Sequence, residues 1–288
     1  MKNGAANYWM SEVQLLRGFA IGAALLIHVI WDFSISTKVS VTTLMNIFLD
    51  SYMGFAVPLF VLLSGFVLYY KYNTHFSRAL FYKRRALSIL PQYIAFSLFY
   101  IMFAIIMGGN ISIKGALLRI ATGKSSPHLW FFILIIQIYI LYPYIANVYL
   151  FCKKRKALAL LITVAFLIQA LSWMLLIILK SDYNSYDAAG VLRRTPFLYI
   201  GYFIFGMHLS QNYSNLTAML KSVKTSLLFV ASICICLVIS AFIAVGFISY
   251  GGYASIPSKY FIPSAFFFTS SAYYPICDLV KGIDPFIT

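Results

Sequence analysis

Charge is scarce in this chain. Only 10% of its 288 residues are Asp, Glu, Lys or Arg, against roughly 25% in an ordinary soluble domain. Acid is scarcest, with 7 Asp+Glu against 22 Lys+Arg, a net of +15. A soluble globule of this size needs a charged shell and a disordered chain needs a polar one, so both are excluded. Cysteine is also rare. Cys152, Cys234, Cys236 and Cys277 form no CxxC or Cys/His spacing, which excludes a disulfide-rich secreted module and offers no metal or redox pair. There is no internal repeat, no low-complexity tract, and no small-residue cleavage site after the first apolar run. That run is therefore expected to be a retained helix and not a removed signal peptide. What is abundant is apolar surface: 62% hydrophobic and 18% aromatic residues, including 26 Phe and 22 Tyr. This is the composition of a multi-pass membrane protein, an all-α bundle. The basic excess then marks cytoplasmic loops and contact with anionic headgroups of the bilayer, and no nucleic-acid partner is expected.

A helix crosses about 30 Å of hydrocarbon with roughly 20 apolar residues. Eight runs approach that length, near 13–31, 53–70, 89–107, 129–150, 157–179, 196–210, 226–248 and 260–277. The longest polar stretches between them are 71–88, 109–128 and 180–195. With the N-terminus in the cytoplasm, the densest basic clusters, KRR at 83–85 and KKRK at 153–156, fall on one side. That bias predicts a cytoplasmic N-terminus in a plasma or inner membrane.

Ionisable groups inside an apolar run are costly and therefore informative. The first run holds Arg17 and His28, eleven residues apart. Eleven steps of about 100° bring both to one helix face, separated by roughly 16 Å along the axis. Asp32 follows His28 at i+4, where a carboxylate can orient an imidazole and support its charged form. The bland reading stands beside this one: Arg17 snorkelling to headgroups, His28 bonding a neighbouring helix, Asp32 ending the helix. Gln137 and Tyr139 read as hydrogen-bonding groups within the bundle.

Arg, ten residues, then His on a first membrane helix resembles the signature of the acyltransferase-3 family. VPLFVLLSGFVLYY at 57–70 looks like the family's second helix. FYKRRALSILPQY at 81–93 is similar to its basic loop leading into a third helix that starts at proline. HLWFFILIIQIYILYP at 128–143 resembles the start of its fourth helix. The four occur in order across about 15–145; beyond 150 the likeness is in hydropathy, with GYFIFGMHLSQNY at 201–213 reminiscent of the intercellular-adhesin branch. Ser88 stands where the family's basic loop carries a second arginine. The family tends to ten helices, and this chain ends in KGIDPFIT where a ninth would begin. The resemblance thus predicts one membrane domain over 1–288 without its last two helices.

The resemblance implies an integral membrane O-acyltransferase, one of those that transfer groups other than aminoacyl groups. It would move an acetyl or other acyl group from cytoplasmic acyl-CoA to a hydroxyl of an extracytoplasmic carbohydrate or cell-envelope acceptor, such as an exopolysaccharide. In that scheme His28 is the base, with Arg17 and Asp32 beside it in the catalytic set. Arg78, Lys83, Arg84 and Arg85 hold the donor's phosphates, and His128 and Trp130 meet the acceptor. No metal and no permanently bound cofactor is expected; acyl-CoA is a substrate. The alternative is a transporter or flippase for a polysaccharide or lipid-linked intermediate, in which Arg17 and His28 line a path.

Overall fold

The computed structural model describes residues 13–27, 41, 45, 49, 53–72, 76–126, 128–181, 186–215, 230, 234 and 237. His28 and Asp32 lie outside the described residues, as do most of the seventh apolar run and all of the eighth. Among the described residues the regular structure is helical. In chain order the helices are α1 (Val13–Ile27), α2 (Ala56–Lys71), α3 (Arg78–Ile106), α4 (Ile113–Thr122), α5 (Trp130–Lys154), α6 (Leu158–Ser181), α7 (Tyr186–Leu192) and α8 (Ile200–Gln211), with a 3-10 turn at Pro196–Leu198 before α8. The chain divides into two units. One is Val67–Met207; the other is Met1–Phe66 with His208–Thr288.

Three helices, α3, α5 and α6, are long and apolar enough to cross a membrane, and α1 and α2 are shorter apolar helices. Only 17% of α3's crossing window and 11% of α6's are buried within the protein, against 33% for α5. The exposed side chains of α3 include Leu87, Phe96, Phe99, Met102 and Ile106. Such surfaces suit lipid, and α5 is the helix the Val67–Met207 unit is built around.

Helix association in lipid depends on close packing and hydrogen bonds, since the acyl chains are as apolar as leucine. Both devices are present. Tyr142 of α5 is fully buried, and its hydroxyl donates to the carbonyls of Leu68 and Tyr72 at 3.0 and 3.1 Å. The Leu68 carbonyl also accepts from the Tyr72 N–H at 2.9 Å, whereas the Tyr72 carbonyl lies past the last turn, where intrahelical donors run out; Tyr142 thus ties the end of α2 to α5. Tyr82 of α3 donates to the Ile140 carbonyl of α5 at 3.0 Å. Gly201 of α8 approaches α6 so closely that a Cβ would lie 2.7 Å from Phe166 Cδ1, and its N–H donates to the Oε1 of buried Gln169 at 3.1 Å.

Two features differ from the sequence expectation. The basic segment 81–93 is not a loop, because α3 begins at Arg78 and runs through Pro91. Ser77 supplies the cap, its hydroxyl accepting from the Leu80 N–H at 3.5 Å. Proline removes one backbone donor, but apolar surroundings make every other intrahelical bond more valuable, so the helix continues across it. The polar stretches 109–128 and 180–195 also carry helices, α4 and α7. Ser112 caps α4, accepting from the Gly115 N–H at 3.2 Å, and Gly123 ends it at φ +69°. A Cβ on Gly123 would lie 2.9 Å from Ile133 Cγ1 and 3.1 Å from Trp130 Cα. Glycine is required there twice over, and its presence seats α4 against the first turn of α5.

Candidate functional site

Within the Val67–Met207 unit, α3 and α5 run antiparallel. Arg78 lies over the Tyr144 ring, Tyr82 bonds Ile140, Arg85 meets Tyr139, Tyr93 meets Phe132 and Tyr100 meets His128. This pairing distinguishes the basic residues that the sequence leaves equivalent. Lys83 and Arg84 are exposed. Arg78 is exposed too, its guanidinium 5.7 Å from the Tyr144 centroid.

Arg85 is half-buried and stands among three rings, 5.2 Å from the Tyr139 centroid, 5.5 Å from Tyr72 and 5.8 Å from Phe81. The rings are themselves held. Tyr72 meets Phe81 edge-on at 5.1 Å, Phe81 packs on Tyr142 at 5.4 Å, and the Tyr142 hydroxyl binds the Tyr72 carbonyl. Cation–π contacts are each worth about 0.5–2 kcal/mol. They constrain the guanidinium but satisfy none of its N–H donors. Its Nε is buried without a hydrogen-bond partner, an omission that costs about 1–3 kcal/mol. No carboxylate pairs with it among the described residues. A planar donor fork so placed is suited to phosphate or carboxylate oxygens.

Arg85 is also deep. Tyr139 lies nine residues from Trp130 and fifteen from Lys154, about 14 and 22 Å along α5. The Lys153–Lys156 cluster is exposed throughout, and α5 continues roughly 15 Å past the level of Arg78 to reach it. The two basic clusters, which the sequence places on one side, therefore stand at different depths.

At the other end of α5 the expected acceptor residues part company. His128 faces Tyr100, ring to ring at 5.1 Å, and its Nδ1 is 3.2 Å from the Ser126 hydroxyl. Trp130 stacks on Tyr199 at 6.3 Å and carries Arg193 at 5.4 Å from its ring. Tyr199 meets Trp173 edge-on, whose Nε1 donates to the Leu198 carbonyl at 3.1 Å. Arg194 follows Arg193. Its Nη1 donates to the Gly190 carbonyl at 2.7 Å, its own carbonyl accepts from Gln137 Nε2 at 2.8 Å, and its Nε is buried without a partner. Burial, and then the neighbouring Arg193 charge, pull the Arg194 guanidinium below its ordinary pKa.

The sequence places Arg193 and Arg194 only within the polar stretch 180–195 and does not single them out, nor the ring set around Arg85. Phe81 and Tyr139 lie inside the family-like segments 81–93 and 128–143, but nothing there marks them, or Tyr72, as partners in a chain with 22 Tyr and 26 Phe. The i, i+4 spacing of Phe81 and Arg85 on one helix face was the available signal.

In the other unit, α1 buries Val13, Leu16, Ala20 and Ala23, a stripe at helical spacing. Arg17 is half-buried beside that stripe. Its relation to His28 and Asp32 lies outside the described residues. Among the described residues no group of His, Cys, Asp or Glu has the arrangement of a metal site.

A family profile for the acyltransferase domain, acyltransferase-3, matches residues 10–279. No curated protein and no solved structure matches the chain.

Proposed function

Because the chain belongs to the acyltransferase-3 family, we propose that it is an integral membrane O-acyltransferase whose donor is acyl-CoA and whose acceptor is a hydroxyl of an extracytoplasmic carbohydrate or cell-envelope polymer. The reading puts the N-terminus and the Arg78–Arg85 end of α3 on the cytoplasmic side of the cell membrane, where acyl-CoA is found. O-acetylation of an exopolysaccharide, as in the intercellular-adhesin branch, is one form of this chemistry.

The observation that carries it is Arg85, a ring-supported guanidinium with an unmade donor. It lies deeper than the exposed Arg78, Lys83 and Arg84. The donor's nucleotide end carries several phosphate charges. The exposed cations draw it in, and Arg85 offers a fixed fork beyond them. The reading assigns the transfer step itself to His28 and Arg17 of the first apolar run. His28 accepts the proton of the acceptor hydroxyl as its oxygen attacks the thioester carbonyl. The carbon–sulfur bond breaks, an ester forms, and the proton passes from His28 to the departing CoA thiolate. Arg17 and Asp32 support the charges that develop during this exchange. His128 and Trp130 belong to the acceptor end.

Two substitutions test the donor assignment. Arg85→Ala should weaken acyl-CoA binding about 10- to 150-fold, the loss of a charge-assisted contact worth about 1.5–3 kcal/mol. Arg84→Ala should change it less than about threefold. Equal effects from the two, with both proteins inserted and folded, would reduce the cluster to a membrane anchor. A transporter would work without acyl-CoA, so consumption of acyl-CoA by the purified protein separates that reading from this one.

A further inference from the structure

At the Trp130 end of α5, two consecutive arginines stand without a carboxylate partner among the described residues. Arg193 is exposed and lies on the Trp130 ring at 5.4 Å. Arg194 is half-buried and anchored through its carbonyl to Gln137 and through Nη1 to Gly190, while its Nε stays buried and unbonded. A guanidinium seated over an aromatic face keeps its in-plane N–H edges available. Trp130, stacked on Tyr199 and carrying Arg193, is therefore a floor for a cation and a poor platform for a neutral sugar ring. Adjacent like charges and an unmade donor are both relieved by one anion. We propose that Arg193 and Arg194, backed by Trp130, form a subsite for an anionic group of the acceptor, a phosphate or a carboxylate, so that the acceptor is an anionic glycan or polyol-phosphate polymer. This rests on the acyltransferase reading and adds the acceptor's class to it.

The test uses the full chain in phosphatidylcholine nanodiscs, with acetyl-CoA as donor and three acceptors of similar length: oligogalacturonate, oligo(glycerol phosphate) and a neutral glucan. At least one anionic acceptor should have a KM tenfold or more below the neutral one, and the better of the two identifies carboxylate or phosphate. Arg193→Gln should raise that KM tenfold or more and leave the KM for acetyl-CoA within twofold. Arg193→Lys should recover part of the loss. Equal use of the neutral glucan, or an unchanged KM in Arg193→Gln, overturns the proposal. Phosphatidylglycerol added to the nanodiscs provides the lipid arm. If it competes with the anionic acceptor only when Arg193 is present, the pair belongs to lipid phosphate and the proposal falls. Equilibrium dialysis of labelled oligo(glycerol phosphate) and oligogalacturonate without acetyl-CoA separates the two readings. Arg193-dependent binding without transfer to any acceptor sustains the anionic subsite and sinks the acyltransferase reading. Absence of both overturns the subsite as well.

Discussion

At the Tyr139–Tyr149 half of α5, the arginine is enclosed by rings from α3, α5 and the residue that follows α2; at the Trp130 end, two arginines sit on a short connection after α7. Arg85 takes its place from Tyr72, Phe81 and Tyr139; the buried Tyr142 holds Tyr72 through its hydroxyl and Phe81 through its ring. Arg194 takes its place from two hydrogen bonds, its Nη1 to the Gly190 carbonyl and the Gln137 side-chain amide to its own carbonyl, and only Arg193 uses a ring. The difference is one of rigidity and depth. Cation–π support orients a guanidinium without consuming its donors, which suits a deep group awaiting an anion. The bond to the Gly190 carbonyl fixes the Arg194 side chain but consumes part of its fork. The same residue type is thus proposed as a ring-supported fork at one end and as half of a paired subsite at the other.

The largest expected effect is at the proposed base, which neither end of α5 supplies. His28→Ala should lower acyl transfer by about 10²- to 10⁴-fold, the usual contribution of a positioned base, while acyl-CoA and acceptor still bind. Near-normal transfer by a folded His28→Ala protein removes the proposed base. Arg17→Lys should then recover only part of the activity lost in Arg17→Ala, since an ammonium lacks the planar fork.

Next comes the contrast between the ends. Arg85→Ala should affect acyl-CoA binding by the 10- to 150-fold given above and acceptor KM little; Arg193→Gln should do the reverse. If both substitutions alter the same substrate constant, the two ends are not separate sites. Initial-rate kinetics with each substrate varied in turn decides this.

A third prediction breaks the Trp130 end by its scaffold. Gly123→Val forces a β-branched side chain into φ +69° and against Ile133 and Trp130, and should cost about 1–3 kcal/mol of local stability. Thermal unfolding in detergent should show a lower midpoint, with acceptor KM raised more than acyl-CoA KM. Equal effects on both constants would mean that the strain spreads through α5 and that the ends are mechanically one.

The smallest effect is at the other scaffold. Tyr142→Phe removes a hydroxyl shared by the Leu68 and Tyr72 carbonyls and should cost about 0.5–1.5 kcal/mol. The ring stays, so the Arg85 enclosure should loosen only slightly, and acyl-CoA affinity should fall by about tenfold at most. A larger fall would show that Tyr142 orients the guanidinium more than the three rings do.

Much of this architecture is legible in the residues. The runs at 129–150 and 157–179 correspond to α5 and α6 within a few positions, because in hydrocarbon an apolar helix is the one element that satisfies its own backbone. Helix α3 extends N-terminally beyond the apolar run at 89–107. Hydropathy drops where Lys83, Arg84 and Arg85 stand, yet the backbone stays helical from Arg78, since helix formation depends on hydrogen bonding and on the Ser77 cap and not on apolar content. Helices α4 and α7 were missed for the same reason. Among the site residues, the basic cluster was visible in the sequence, but its members were interchangeable there.

The sequence by itself determined the solvent. A chain 62% hydrophobic and 10% charged belongs in a bilayer, as helices, because unpaired backbone groups there cost too much for any open alternative. The family, too, is written in the order of its motifs. Tertiary structure alone decided which cations are available to a ligand. Charge is a property of a residue, but an unmet donor is a property of its surroundings. Arg84 and Arg85 differ by one place in the chain, or about 100° around a helix. One points outward, and the other stands among Tyr72, Phe81 and Tyr139; Phe81 is its neighbour on α3, but only tertiary packing brings Tyr72 and Tyr139 to it.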